Sequence, residues 1–443
     1  MTIKLPKSEE VMPKKPQSLV VSGQLTDASF INYFLKAHHC MCISGSIWDE
    51  REKWRTDEAI RQEIQRAIGP YVQRGLAKRT QELLAAIKNE TYVEPPKPDE
   101  NKVHFLNGYY DIRDGVFYSN SEFSYCTVPH DLTIEKTPAP KFTEYLNGLL
   151  EPEDIATLQE FTGYCLIPCN KADSMLYLIG SGEEGKSVFG KILEAVLGKT
   201  MVTGSLHDLT GRFGLASLEN KLLFLDDDLS LKGFAETAPI KKIVTCRGQI
   251  QYERKGKDAY NGPCFCKLLA FGNGVPADLY DHTHGAERRK LIITTKPKPA
   301  ERKKNANLAQ EIIDEELNGV IMWALAGLRR LYKNSWKISQ SKRTQENLET
   351  FKDEYAPAAF LKDTDIVKVG NPDDEVGSMA LQEAYRAWCY TNGYKCTDQR
   401  AICSHIKSNG QRLNIQEVPH IKKKAPGKRQ GPRGFKGLAL VAQ

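Results

Sequence analysis

The stretch LIGSGEEGKSVFGK, residues 178–191, constrains this chain more than any other. It follows the apolar run MLYL and opens the helix-like run VFGKILEAVLG. Within it, Gly180, Gly185, Lys186 and Ser187 fall in the order G-x-x-x-x-G-K-S. Glycines let successive backbone N–H groups turn inward around phosphate oxygens, where a Cβ would obstruct them. A lysine at this spacing reaches the β- and γ-phosphates, and the serine hydroxyl joins a Mg²⁺ shell. The helix that follows points its positive dipole end at the anion. A surface turn is the competing explanation. Chance gives the pattern in about 2 % of chains of this length, and the strand–loop–helix context lowers that further. The candidate nucleotide-binding residues are therefore Gly180, Gly182, Gly185, Lys186, Ser187 and Val188, with ATP and Mg²⁺ as expected cofactors.

Partners for such a loop lie downstream. Forty residues after Lys186 stands Asp226, the first acid of KLLFLDDD, a buried-strand pattern ending in carboxylates. One acid would hold the metal and a second would orient the attacking water. Asp226 is assigned to the metal beside Ser187, and Asp227 to the water. Three consecutive aspartates leave that register open by one. A third apolar run, KLLAFGN, ends at Asn273, an amide suited to sensing the γ-phosphate or to a plain Asn-Gly turn. Farther on, GAERRKLIITT places Arg288 and Arg289 before another strand. Arginine there suits the charge developing in phosphoryl transfer, and a surface salt bridge is an equal alternative. Between the second and third strands, GQIQYERKGKDAYNG reads as a hairpin with Arg254, Lys255 and Lys257 at its tip and Tyr252 or Tyr260 available for stacking.

Charge distribution adds a partner class. The chain has a net charge of +6, yet residues 411–443 carry eight basic side chains against one acid, so the remainder is close to neutral. A basic terminal segment, including Lys428 and Arg429, favours a nucleic-acid backbone, with a solvated tail as the alternative. The chain shows no run of eighteen apolar residues and no secretion-type leader, so membrane insertion is not expected. Eleven scattered cysteines without CxxC pairs point to reduced thiols and a cytoplasmic setting. HHCMC at 38–42 supplies metal-type donors, but no second ligand pair appears nearby.

Residues 1–27 read as a disordered lead and 28–91 as helical, with EPPKPDENK as a turn or linker. Short strands with Asn-Gly and Asp-Gly turns follow over 103–118, then helix over 141–165. Strand-like and helix-like runs alternate over 174–296. Residues 364–377 read as an interdomain loop. Two helix-like runs and a glycine-turned basic hairpin at 427–440 complete the order of a winged helix.

Together these pieces resemble superfamily 3 helicases, a viral and plasmid branch of the AAA+ ATPases, and within it the helicase half of poxvirus- and phage-type primase-helicases. The signature lies within 94 residues, Gly180 to Asn273, and the wider likeness runs from about residue 30 to the end. The resemblance implies an α/β fold with an AAA+ P-loop ATPase core at 166–300. A mostly helical N-terminal α/β domain would span 28–165, a helical lid or connector 301–363, and a winged helix with basic tail 364–443. It implies catalytic roles for Lys186, Asp226, Asp227, Asn273, Arg288 and Arg289, with Arg289 slightly favoured as the finger. It places Lys241, Arg254, Lys255 and Lys257 in the DNA-contacting segment. It also implies a homohexameric ring on single-stranded and forked DNA, usually moving 3′ to 5′. The sequence departs from the family at TCRG, Thr245–Gly248, where an acid often stands, which leaves the roles near Lys241 open. The primase half is not expected here, so priming falls to a separate primase or polymerase. An origin-binding initiator without processive unwinding is the alternative reading.

Overall fold

The computed structural model describes residues 20–21, 24–120, 122–135, 137–229, 238–256, 258–273, 289–297, 305–353, 356–392, 396, 399–422 and 431–441. Two short strands, β1 (Val20–Val21) and β2 (Gln24–Leu25), pair antiparallel inside what reads from sequence as a disordered lead. Helix α1 (Asp27–Ala37) starts at Thr26, whose side chain accepts the Ser29 N–H in a reciprocal capping box. The helical expectation for 28–91 then fails over the sixteen residues 40–55. Strands β3 (Cys40–Ile43), β4 (Ser46–Asp49) and β5 (Lys53–Arg55) form an antiparallel meander. The reason is the Ser44-Gly45 turn, with φ of +49° and +78°, which suits a two-residue hairpin and ends any helix. Helices α2 (Asp57–Ile68) and α3 (Leu76–Glu90) follow. Ile60, Ile64 and Ile68 line one face of α2 and are buried with Phe30, Phe34, Ile47, Leu83 and Ile87.

A second meander follows: β6 (Lys102–Phe105), β7 (Gly108–Asp111) and β8 (Val116–Tyr118). Helices α4 (Pro140–Leu149) and α5 (Pro152–Tyr164) each carry proline in the first turn, where its missing N–H costs nothing. Then come β9 (Met175–Ile179), α6 (Lys186–Leu197), β10 (Met201–Thr203), β11 (Leu223–Asp226), α7 (Ala238–Val244), β12 (Gln249–Tyr252), β13 (Tyr260–Pro263), β14 (Lys267–Gly272) and β15 (Lys290–Thr294).

Five of these strands make one sheet in the order β10-β11-β14-β9-β15, and every pair is parallel. Both faces are covered, so the strands read as unbroken apolar runs. One face packs on α6 through Phe189 and Leu193, with α5 and the 26-residue helix α8 (Leu308–Lys333) completing that layer. The other face packs on α7 and the β12–β13 hairpin through Phe224, Ile243 and Tyr252. Helices α5 and α8 meet backbone to backbone. A Cβ on Gly163 would sit 2.3 Å from the Ala324 carbonyl, and one on Gly327 would sit 2.4 Å from the Gln159 carbonyl.

Beyond α8 lie α9 (Lys342–Asp353), α10 (Ala356–Lys362), β16 (Val367–Val369), β17 (Glu375–Gly377), α11 (Ser378–Thr391), α12 (Ala401–Leu413), β18 (Gln416–Val418), β19 (Gly434–Lys436) and β20 (Leu438–Leu440). The interdomain loop expected at 364–377 instead contributes two strands. The expected hairpin at 427–440 is replaced by another pairing: β19 lies between β17 and β18, whereas β20 pairs with β16. Gly437, at φ +90°, turns the chain from one sheet to the other. These strands and α10–α12 share a core of Phe360, Trp388, Ile402, Ile406 and Phe435. The chain is therefore mixed α/β with a parallel sheet. Among the described residues no helix is long and apolar enough to cross a membrane, and no cysteine is in a disulfide.

Candidate functional site

Because all five strands run the same way, the loops that follow them gather at one sheet edge. Residues 180–185 leave β9 there and enter α6. Gly182 and Gly185 both hold φ at +117°, a region side chains rarely adopt. Gly185 is the N-cap of α6 and supplies no side-chain cap, so the helix presents its leading N–H groups to this edge. The Tyr145 hydroxyl on α4 donates to the Gly185 carbonyl at 2.9 Å and holds the loop from behind. Ser187 is exposed and Val188 half-buried. The Gly180 N–H donates to the Gly272 carbonyl at 3.0 Å, which sets the loop directly beside the end of β14.

Asn273 follows Gly272 at that edge and is exposed. The next strand over, β11, brings the acids. Asp226 is buried. Its Oδ2 accepts the Leu206 N–H at 2.8 Å, and its Oδ1 accepts the Asp228 N–H at 3.3 Å. Burial raises its pKa above the ordinary aspartate value, against the two backbone donors. Asp227 and Asp228 are exposed. Leu225 packs with the α6 layer and Phe224 with the opposite one. Strand alternation therefore turns Asp226, the last residue of β11, away from the α6 layer, and Asp227 and Asp228 lie past the strand.

The structure thus brings Gly180, Gly182, Gly185, Lys186, Ser187, Val188, Asp226, Asp227 and Asn273 to one sheet edge. It does not bring Arg289 there. Arg289 precedes β15, and its carbonyl accepts the Met175 N–H at the start of β9. With β15 five residues long, Arg289 lies roughly 16 Å from the loop edge, at about 3.3 Å per residue. Its neighbour there is Lys241 of α7, whose pKa falls below the usual lysine value through burial and the Arg289 charge. Arg288 lies outside the described residues.

The β12–β13 hairpin forms as its sequence suggests, but its tip is less available. Arg254 is ion-paired with Glu219 and lies 5.9 Å from the centre of the Tyr260 ring. The Tyr260 hydroxyl also donates to Glu219. Tyr252 is buried and donates to the Pro263 carbonyl at 2.8 Å, so it is not free to stack on a base. Lys255 is exposed beside Gly256. Lys257, Lys428 and Arg429 lie outside the described residues. At 38–42, His38 points Nδ1 at Asp49 (3.0 Å) and Nε2 at Glu63 (2.7 Å), and His39 pairs with Glu50. Among the described residues no cluster of three or more His, Cys, Asp or Glu could hold a metal ion.

One residue of the loop escapes sequence reasoning. Glu184 is only 1 % exposed, and it accepts from Ser181 Oγ (2.8 Å), the Gly182 N–H (2.5 Å) and Lys186 Nζ (2.9 Å). Burial works to raise its pKa. The lysine, serine and backbone donors outweigh that and hold it at about 2. In the string GSGEEGKS nothing but burial separates Glu184 from the exposed Glu183.

The fold and this edge define an α/β protein whose parallel sheet carries a glycine-rich loop at a helix start, beside an acidic strand end. A model for a family of unknown function, DUF5906, matches residues 178–289, the segment from the end of β9 to the start of β15. No curated protein matches the chain. Among solved structures, an A-form apo structure of the NrS-1 C terminal region (305-718) is similar at a TM-score of 0.50 and 13 % identity, covering 92 % of this chain and 98 % of that one. An apo structure of the same region aligns at a TM-score of 0.49 and 13 % identity, over 89 % and 93 % of the two chains. At this identity the likeness concerns the fold alone.

Proposed function

We propose that this chain is an ATP-dependent DNA helicase of the superfamily 3, AAA+ type, serving replication of a phage, plasmid or other mobile element in the host cytoplasm. One observation carries the reading: the G-x-x-x-x-G-K-S loop opens a helix at the same sheet edge as the aspartate-tipped β11 and the asparagine after β14. The left-handed glycines and the uncapped start of α6 make a cradle that fits a polyphosphate. Lys186, the Gly182 N–H and the first N–H groups of α6 hold the phosphates, whereas the Gly180 N–H is given to the Gly272 carbonyl and the Val188 N–H to the Gly185 carbonyl. Ser187 and an acid of the Asp226–Asp228 run, Asp226 first among them, would hold Mg²⁺, which would neutralise phosphate charge. Asp227, exposed just past β11, orients the water, and Asn273 sits between the acids and the loop to sense the γ-phosphate.

Arg289 cannot reach its own subunit's loop, which favours a role in trans. In a homohexameric ring it would face a neighbour's phosphates and stabilise transition-state charge. Lys241, Lys255 and Lys257 would line the path of single-stranded DNA. The C-terminal unit, with helices α11 and α12 followed by the β18–β19 pair, suits a winged helix that grips duplex DNA beside Lys428 and Arg429. Movement from 3′ to 5′ and a separate primase or polymerase rest on the family resemblance.

The test is strand displacement on forked DNA with ATP, comparing the natural chain with Lys186→Ala. Displacement by the natural chain alone is the expected result, and swapping the fork tails then gives polarity. Hydrolysis without displacement would move the assignment to an origin-binding initiator. Hydrolysis surviving intact in Lys186→Ala would remove the site.

A further inference from the structure

Glu184 lies inside the loop rather than on it. Its two oxygens take the Gly182 N–H, the Ser181 hydroxyl and the Lys186 ammonium, and water has almost no access to it. The lysine and the glycine N–H are the donors that the proposed reading assigns to nucleotide phosphate. A carboxylate and a phosphate compete for such donors because both are anions that accept charge-assisted hydrogen bonds. The low pKa of about 2 keeps this carboxylate ionised at any working pH. Its neighbour Glu183 is exposed, so the adjacent position offers an internal comparison. The left-handed backbone at Glu183, φ +63°, and at Gly182 and Gly185 directs the chain so that 184 turns inward while 183 does not.

We propose that Glu184 is a built-in anion that holds Lys186 and satisfies the phosphate loop in the empty protein, and that nucleotide phosphate displaces it. Glu184 is then a positioning residue that sets nucleotide affinity by competition. Binding requires Lys186 to be drawn from the Glu184 carboxylate toward the phosphates, and the retained negative charge opposes the incoming one. The inference rests on the nucleotide-binding reading of this loop.

The experiment is a titration of the full-length chain with a fluorescent ATP analogue and Mg²⁺, in parallel with thermal unfolding with and without ATP. The variants are Glu184→Gln, Glu184→Asp, Glu183→Gln and Lys186→Ala. Removing a charged hydrogen bond that the empty state enjoys should tighten binding roughly tenfold in Glu184→Gln. Glu184→Asp, which withdraws the carboxylate by one methylene, should fall between that variant and the natural chain. Glu183→Gln, which removes an exposed charge from the same loop, should tighten binding less than Glu184→Gln. The unliganded Glu184→Gln protein should melt lower, and its ATP-induced rise in Tm should be larger. A carboxylate that merely braces the loop would lower Tm and weaken binding together, and that outcome overturns the proposal. Equal or weaker binding by both Glu184 variants overturns it too, and Glu184→Asp decides the matter if Glu184→Gln does not fold. If the natural chain binds no nucleotide, the reading of the loop itself falls and the inference with it. If it binds, and binding disappears in Lys186→Ala, the loop reading stands whatever Glu184 does.

Discussion

His38 has carboxylates at both ring nitrogens, so both must donate and the imidazole is held charged. Burial alone would lower its pKa, but Asp49 and Glu63 raise it from 6.5 to about 9. A histidine whose folded pKa lies above its unfolded value stabilises the fold below the unfolded pKa. That contribution fades as the pH rises through the folded one. The expected result is a loss of order 2–3 kcal/mol of unfolding free energy between pH 6.5 and 9, measured by urea denaturation, that His38→Gln abolishes. A pH-independent difference between the two proteins would rule out the charged imidazole. At the same scale, both histidines of HHCMC are committed to acids, His38 to Asp49 and Glu63 and His39 to Glu50.

At the scale of single elements, the β12–β13 hairpin separates two basic residues that adjoin in sequence. Arg254 turns back onto Glu219 and the Tyr260 ring, whereas Lys255 projects at the tip. Lys255→Ala should therefore weaken single-stranded DNA binding and lower the dependence of log K on log salt by about one, the signature of one lost phosphate contact. Arg254→Ala should instead lower thermal stability with a smaller change in salt dependence, since a partnered arginine contributes packing and an ion pair. Fluorescence anisotropy across a salt series distinguishes the two. Equal salt slopes for the two variants would overturn the division of labour.

At the scale of the whole molecule, the separation of Arg289 from the phosphate loop has an assembly consequence. An arginine that stands a full strand length away serves phosphate chemistry only if a second copy brings its edge to the first copy's loop. Mixing Arg289→Ala with Lys186→Ala protein should then restore hydrolysis above either alone, because mixed interfaces pair a natural loop with a natural arginine. Absence of any rescue over a range of mixing ratios would rule out the trans role.

Much of this arrangement is legible in the chain itself, and the limits are physical. Glycine spacing, the lysine–serine pair, four apolar runs and the acids after one of them are local features. Local sterics and burial on both faces leave few alternatives to a parallel sheet with its glycine loop at a helix start. The β3–β5 meander was not legible, because a helical run as long as 58–89 masks a single Ser-Gly turn beside it. The pairing of β19 with β17 and β18 was not legible either: strand partners are chosen by contacts remote in sequence, and Gly437 lets adjoining strands join different sheets. By itself the sequence determined which residues could make a phosphate cradle and where its strand and helix lie. Only the tertiary structure decided which of two adjacent glutamates is buried, which of three aspartates is buried, and at which end of the sheet Arg289 stands. Those outcomes depend on strand order, register and burial, which no local pattern encodes.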